Sequence, residues 1–179
     1  MGTKKRKLLV GVGVLLAGWW AAAAGVEGAN DLSLILPATY SIFVAAANAV
    51  NITPYNLPPF YTIFAPLNSA FERLACLTDP TANKTLTSAI LKYHMVNNPH
   101  DYANTIELAT ARNPWMPRSF FNSYQLSIFF ETDTTLISIN NRSWVVSPDV
   151  TNYATLSVHG IDTVLIPPRV KLPSGCNTY

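Results

Sequence analysis

The sequence has few charged residues and very few cysteines and histidines. Of its 179 residues, 12% are charged, two are cysteines and three are histidines. An apolar fraction of 49% is sufficient for a buried core, which excludes an intrinsically disordered chain. Two cysteines without clustered histidines are too few for a structural zinc site. We therefore expect one folded domain without a bound metal ion.

The basic residues are concentrated at the N-terminus, where Lys4 to Lys7 form a continuous run. The formal net charge is +2, but without these four residues 8 basic side chains face 10 acidic ones. Because a slightly negative domain offers no basic surface to a polyanion, nucleic acid is excluded as a partner.

An apolar run from Leu8 through Ala24 follows the basic residues. A basic start, an apolar run and small residues at its end are typical of a cleaved secretory signal peptide, here residues 1–24. The run also approaches the length of a membrane span, about 20 residues, so an uncleaved signal anchor is the alternative. Membrane attachment is expected only if this segment stays uncut.

The rest of the chain divides into a short linker at 25–30, a folded domain at 31–168 and a polar tail at 169–179. The tail contains no hydrophobic segment of the kind that a C-terminal glycolipid anchor requires. This organisation predicts a protein that is secreted or held at the cell surface.

Three N-glycosylation sequons agree with passage through the secretory pathway. Their acceptor residues, Asn51, Asn83 and Asn141, all fall at predicted turns or helix starts. We therefore predict a glycoprotein.

The two cysteines, Cys76 and Cys176, suit a secreted chain with one disulfide. Their bridge would close a loop of about 100 residues and stabilise the fold by about 4.7 kcal/mol on the chain-entropy model. The alternative is two unpaired thiols, with Cys76 as a core residue beside Leu74 and Leu77.

The stretch Tyr61–Phe71 predicts a buried strand that runs directly into a helix. Its aromatic and β-branched residues suit a strand, which Pro66 ends because proline cannot donate to a ladder. Ser69 and Glu72 fit a capping box at the start of the helix, and Asn68 is the other candidate cap. By itself this pattern is a packing device and not a site.

The remaining elements follow from the spacing of apolar residues. Helical spacing predicts helices over Ala38–Val50 and about Leu86–Tyr93, whereas prolines predict that Asn97–Ser119 is mostly loop. From Phe120 the apolar period changes to two, which is typical of half-buried strands. The predicted strands are Tyr124–Glu131, a hairpin of Thr135–Ile139 and Ser143–Val146 around Asn140-Asn141, and finally Thr155–Val158 and Thr163–Ile166.

Motifs of the common enzyme classes are missing from the sequence. It has no Gly-x-Ser-x-Gly nucleophile elbow, no His-Glu-x-x-His zinc motif and no phosphate-binding glycine loop. Its carboxylates are scattered, without the pair that glycoside hydrolysis needs. His159 and Asp162 are three residues apart, but at a predicted turn around Gly160 they are expected to bond the backbone. We therefore expect no catalytic residue, no cofactor and no enzymatic activity.

Three stretches between about Leu34 and Pro168 resemble, in order, the signatures of the fasciclin domain. They read Phe-Ala-Pro-x-Asn-x-Ala-Phe, Leu-x-Tyr-His-x-Val and Val-His-Gly-Ile-Asp-Thr-Val-Leu-Ile-Pro. The resemblance implies a fasciclin-type α+β fold, with a β-sandwich-like core and helices packed against it. The signature residues, expected to be mainly structural, are Phe64, Ala65, Pro66, Asn68, Phe71, Tyr93, His94, His159 and Asp162.

The resemblance also implies a function, namely non-catalytic cell adhesion or organisation of the extracellular matrix or cell wall. The single domain behind a signal peptide looks most like plant fasciclin-like arabinogalactan proteins. The implied partners are matrix or wall glycans, or cell-surface proteins. The alternative is a soluble module of the cell wall that binds carbohydrate or a small ligand, with Trp115 or Trp144 stacking on sugar rings.

In animal fasciclin domains the region of the second signature has been linked to integrin adhesion. By resemblance, Tyr93 and His94, together with Trp115, are candidate partner contacts. The residues themselves favour a structural role for His94, because a histidine beside a core helix usually hydrogen-bonds the backbone.

Overall fold

The computed structural model describes residues 32–53, 57–74, 79, 82–174 and 176. The predicted signal peptide or anchor, the linker at 25–30 and Cys76 lie outside these residues. Cleavage of the signal and the disulfide between Cys76 and Cys176 therefore stay predictions. Within the described ranges, no helix is both long and apolar enough to cross a membrane.

Helices form where apolar residues recur at helical spacing. The predicted helix at 38–50 is present as a 3₁₀ turn, Ala38–Tyr40, followed directly by an α-helix. The α-helices are α1 (Leu32–Ile35), α2 (Ser41–Ala49), α3 (Asn68–Glu72), α4 (Lys84–Tyr93) and α5 (Tyr102–Arg112). Helix α4 begins just before the predicted start because the Asn83 side chain caps it, accepting the Leu86 N–H at 3.0 Å.

The strands pair into one six-stranded sheet in the order β2-β1-β6-β5-β4-β3. They are β1 (Tyr61–Pro66), β2 (Met95–Asn97), β3 (Ile128–Glu131), β4 (Leu136–Ile139), β5 (Ser143–Tyr153) and β6 (Leu156–Ile161). Strands β1 and β6 pair in parallel, and every residue of both is buried. Burial of both strands on both faces is typical of a parallel pair, and it includes the polar residues Thr62, Ser157 and His159.

The sheet curls over itself along β5. Bulges between Val145, Ser147 and Thr151 bend this strand, whose start pairs with β4 and whose remainder pairs with β6. Phe64 on β1 therefore shares a core with Ile128 on β3, although the two strands lie far apart in the sheet order. The prediction of an α+β fold with a sandwich-like core is confirmed.

A second core covers the other face of β1. Ile63 and Ala65 alternate with Phe64 along the strand and belong to the cluster that contains Phe43 of α2 and Leu91 of α4. The helices therefore cover one face of β1, and the curled end of the sheet covers the other.

The prediction of a loop over 97–119 is wrong, because α5 occupies its middle. Asp101 caps this helix, since its carboxylate accepts the N–H of Asn104 at 2.7 Å. Thr105 and Ala109 are buried against the sheet. The sequence does carry local signals of this helix, namely a capping aspartate at its start and Arg112 in its last turn. The flanking prolines nevertheless favoured a loop.

The predicted strand–turn–strand at residues 155–166 is also wrong. Strand β6 continues through His159 and Gly160, and residues 163–166 form no strand. Gly160 serves close packing and not a turn. A Cβ built at this position would lie 2.1 Å from Tyr40 Oη and 2.8 Å from Ser147 Cβ.

One smaller expectation at an element boundary changes as well. Strand β3 covers only the last part of the predicted strand from Tyr124 to Glu131. The hairpin of β4 and β5 is present as predicted, with positive φ at both Asn140 and Asn141.

The predicted capping box at Ser69 and Glu72 is absent, because Leu67 holds the N-cap position without a side-chain hydrogen bond. Asn68 instead joins α3 to the start of α2. Its Oδ1 accepts the N–H of Ile42 at 3.0 Å. Its Nδ2 donates to the carbonyl oxygen of Ala38 at 3.1 Å and to the Ser41 hydroxyl at 3.0 Å. This signature asparagine therefore stabilises the packing of α3 against the start of α2.

Candidate functional site

His94 is fully buried between α4 and the segment that follows β6. Its Nε2 accepts the backbone N–H of Leu165 at 2.9 Å, so the ring proton resides on Nδ1 and is donated to the carbonyl oxygen of Ile90 at 2.8 Å. Burial lowers the pKa of His94 to about 4, which keeps the ring neutral near pH 7. His94 has the expected geometry of a structural histidine.

His159 is a second buried histidine, in the middle of β6. Its Nδ1 accepts the N–H of Asp149 at 3.1 Å, and its Nε2 lies 2.8 Å from the carbonyl oxygen of His100. Burial lowers the pKa of His159, against the opposing effects of the His100 hydrogen bond and the Asp149 carboxylate. The same carboxylate accepts the N–H of Tyr102 at 3.0 Å. His159 therefore connects the start of α5 to the bulged part of β5.

Asp162 bonds β5 instead of forming an acid–base pair with His159. Its Oδ1 accepts the backbone N–H of Trp144 at 2.8 Å. The hydroxyls of Thr163 and Ser143 also donate to Oδ1, at 3.1 and 3.2 Å. As expected, this carboxylate accepts hydrogen bonds from groups near it. Two of the donors, the N–H of Trp144 and the hydroxyl of Ser143, belong to β5 and not to a turn.

The structure corrects the expected partner contact of Trp115. This side chain is 5% exposed, belongs to the core cluster that includes Ile128, and meets His100 edge-on with ring centroids 4.7 Å apart. His94 is equally inaccessible. A partner cannot contact either side chain without opening the core, so neither is a surface contact.

Tyr93 lies at the edge of a groove that is the best candidate for a binding site. We call it the Tyr93 groove; its volume is about 590 Å³, within the usual range of small-ligand sites. The residues that define it are Arg73, Leu74, Tyr93, Asn140, Arg142 and Leu165. Although Tyr93 is 2% exposed, its ring forms part of the wall.

The polar groups of the Tyr93 groove are held in place by hydrogen bonds. The Asn140 amide donates to Tyr93 Oη at 3.1 Å, and Tyr93 Oη donates to the carbonyl oxygen of Gln125 at 3.4 Å. Burial raises the pKa of Tyr93, so the hydroxyl stays protonated at neutral pH. Arg73 donates to the backbone carbonyl oxygen of Asp162.

Sequence reasoning missed this groove, with the exception of Tyr93. Arg73 and Arg142 are 69 positions apart, and Asn140 was expected only to form a turn. The one available signal was the Tyr93 hydroxyl, which needs a polar partner beside a core helix. The fold supplies that partner together with the rest of the groove.

All three predicted glycan acceptors, Asn51, Asn83 and Asn141, are exposed. Asn51 and Asn83 line one open cleft of about 920 Å³, whereas Asn141 lies between two lining residues of the Tyr93 groove. The capping bond of Asn83 uses Oδ1, so it does not occupy the amide nitrogen to which a glycan attaches. Among the described residues, no cluster of three His, Cys, Asp or Glu side chains could hold a metal ion.

Comparison with known proteins identifies the domain. The family model of the fasciclin domain matches residues 38–167, well over half of the 179 residues. No relative was found among curated protein sequences.

Among solved structures, the chain is similar to a FAS1 domain pair from the insect cell adhesion molecule fasciclin I. The sequence identity is 19% and the TM-score is 0.52, a likeness of fold alone. The match covers 76% of this chain and 45% of that one, so this chain spans less than half the length of the matched structure. Its curled sheet, its covering helices and its family match lead to one conclusion: this chain belongs to the fasciclin family.

Proposed function

We propose that this chain is a secreted or cell-surface glycoprotein that acts in cell adhesion, or in organising the extracellular matrix or cell wall. The fasciclin-domain match over residues 38–167 carries the proposal. The similar solved structure comes from a protein described as an insect cell adhesion molecule. The partners would be matrix or wall glycans, or cell-surface proteins.

The positions of the glycosylation sequons support secretion. Asn51, Asn83 and Asn141 are all exposed; the first two line one cleft, and Asn141 lies beside the Tyr93 groove. Glycans at these positions would shield some faces and leave others for a partner. Secretion also agrees with the apolar segment at Leu8–Ala24.

The placement of the signature residues supports a non-catalytic role. His94 and His159 are buried and bonded to backbone groups, and Asp162 accepts its hydrogen bonds from β5 and the adjacent Thr163. The side chains best suited to acid–base chemistry are therefore used to hold the sheet and its connections together. Within the family we propose a likeness to plant fasciclin-like arabinogalactan proteins, which rests on the predicted signal peptide and on the Val-His-Gly-Ile-Asp stretch.

A carbohydrate- or small-ligand-binding module of the cell wall is the second candidate function. The Tyr93 groove favours it, because polar side chains such as Ser127 and Asn140 line it together with the apolar Leu74 and Leu165. Trp115 is buried and cannot stack on a sugar, and Trp144 is half-buried.

The proposal is tested by expressing the tagged chain in plant cells and measuring intact mass, without reduction, in medium and membranes. We expect a species in the medium that starts near Gly25 and carries N-glycan mass. Beads coated with this species should then aggregate or adhere to wall fragments. A triple variant, N51Q, N83Q and N141Q, should lose the glycan mass. Retention inside the cell, or coated beads that behave like albumin-coated beads, would contradict the proposal.

A further inference from the structure

The Tyr93 groove carries positive charge that its own lining does not neutralise. Arg73 and Arg142 both line the groove and both are exposed, and no aspartate or glutamate is among the lining residues. Arg73 bonds the backbone carbonyl oxygen of Asp162, which orients the guanidinium without cancelling its charge. The groove therefore complements an anionic ligand.

The carboxylate of Asp162, whose backbone oxygen Arg73 contacts, is engaged with another element. Asp162 follows β6, and its Oδ1 accepts the N–H of Trp144 at 2.8 Å and two hydroxyl groups. A carboxylate with three donors directed at one oxygen is a structural acceptor for the start of β5. Both guanidinium groups can thus offer planar donor pairs to a ligand carboxylate.

The remaining surface of the groove suits a polyol. Leu74 and Leu165 are buried and form an apolar floor against which C–H groups of a sugar ring can pack. Around this floor stand Tyr93 Oη and the Asn140 amide, already joined to each other at 3.1 Å. The Asn140 amide is held by its bonds to Tyr93 and to the N–H of Ser127, so its second N–H can donate to a ring hydroxyl at little cost in side-chain entropy.

We propose that the Tyr93 groove binds a uronic acid unit of an acidic glycan. Its carboxylate would be bound by Arg73 and Arg142, and one of its hydroxyls by the Asn140 amide. An acidic peptide could satisfy the arginines equally well, but it would make poor use of the hydroxyl and amide wall. The inference rests on the proposed extracellular role only in so far as that role brings the chain to such glycans.

Binding of trigalacturonic acid to the purified full chain, measured by isothermal titration calorimetry, tests the proposal. The control ligand is the same trimer with its carboxyl groups reduced to alcohols. We expect the acidic trimer to bind at least about tenfold more tightly than the neutral one, because charge-assisted hydrogen bonds are the stronger class. Its affinity should also fall as salt is added, because both arginines are exposed.

Variants locate the site. R73Q and R142Q should each weaken binding by about tenfold or more, and Y93F by less, since it removes only the hydroxyl that holds the Asn140 amide in place. The matched control is R112Q, which changes an exposed arginine at the end of α5, outside the groove. It should leave affinity unchanged within about twofold. Thermal unfolding of each variant confirms that the fold is intact.

Several outcomes would overturn the inference. The first is binding of the neutral trimer as tight as that of the acidic one, and the second is an affinity of R73Q and R142Q equal to that of the parent chain. The third is equally tight binding of tri-aspartate, which would indicate an acidic protein segment. The titration is repeated with N141Q, because a glycan at the rim could cover the groove. If neither the parent chain nor N141Q binds the acidic trimer, the inference is overturned.

The two proposals fail separately. If the chain is secreted and adhesive but does not bind trigalacturonic acid, only the ligand inference is overturned. A chain that binds the trimer yet is neither secreted nor adhesive overturns the proposed function alone.

Discussion

The Nε2 atom of His94 accepts a hydrogen bond at 2.9 Å from the backbone N–H of Leu165, 71 residues further along the chain. This bond joins the end of α4 to the segment that leaves β6. It requires a neutral ring, because a protonated Nε2 has no lone pair to accept with.

The free energy of unfolding should therefore fall as the pH falls from about 7 to about 4. The unfolded histidine has its ordinary pKa of 6.5, whereas burial lowers the pKa of His94 to about 4. Between these values the unfolded chain binds more protons, so acid favours unfolding, by roughly 3 kcal/mol in all. Urea unfolding at a series of pH values measures this loss.

The variant H94Q is the control for this pH dependence. It should be less stable than the parent at neutral pH, but its stability should change less on acidification because one buried titrating ring is gone. His159 remains in the variant, and its lowered pKa leaves a residual slope of the same sign. Parallel pH profiles of parent and variant would rule out His94 as the cause.

Substituting Gly160 by alanine should destabilise the fold by about 2 kcal/mol, through overpacking inside β6. The added Cβ would lie 2.1 Å from Tyr40 Oη and 2.8 Å from Ser147 Cβ. In a double-mutant cycle, Y40F should relieve part of this loss, because it removes the nearer atom. Strictly additive effects of G160A and Y40F in chemical denaturation would contradict the proposed clash.

Substituting Asn68 by alanine should lower the free energy of unfolding by about 2–3 kcal/mol, because α3 would lose its hydrogen bonds to the start of α2. Three hydrogen bonds disappear, and the N–H of Ile42 loses its acceptor. The matched control is N48A, at an exposed position on α2 itself, for which we expect a change within about 0.5 kcal/mol. Similar denaturation midpoints for N68A and N48A would show that the hydrogen bonds of Asn68 contribute little to stability.

Removing the predicted disulfide with C76S and C176S should lower stability by about 2–5 kcal/mol, the usual range for a native bridge in a secreted domain. Before that comparison, non-reduced intact mass should show the parent lacking two hydrogens relative to the reduced chain. A mass equal to that of the reduced chain would mean that the cysteines stay unpaired. Two unpaired thiols would then replace the bridge in the account of this fold.

The sequence predicts best those elements whose causes are local. The turn at Asn140-Asn141 forms as expected because asparagine tolerates positive φ, and both residues adopt it. Strand β1 ends at Pro66 because a missing N–H stops a ladder whatever surrounds it. Helices α2 and α4 follow from the spacing of their apolar residues.

The predictions from sequence were wrong where one residue type suits two structural roles and only the tertiary packing decides between them. Gly160 suggested a turn, but the approach of Tyr40 requires a residue without Cβ inside a continuous strand. Trp115 was a candidate partner contact, yet α5 and the curled sheet bury it. Asn68 suggested a helix cap, and instead it bonds a helix 26 residues earlier in the chain.

By itself, the sequence determined the family signatures, the sequons, the apolar N-terminal segment and most local elements, because each depends on neighbours within a few residues. Tertiary structure decided which side chains are buried and which share a surface. The Tyr93 groove is the clearest example: β5 must bend and α3 must dock before Arg73 and Arg142 line one groove. Such a juxtaposition depends on long-range packing, for which no local pattern exists to be read.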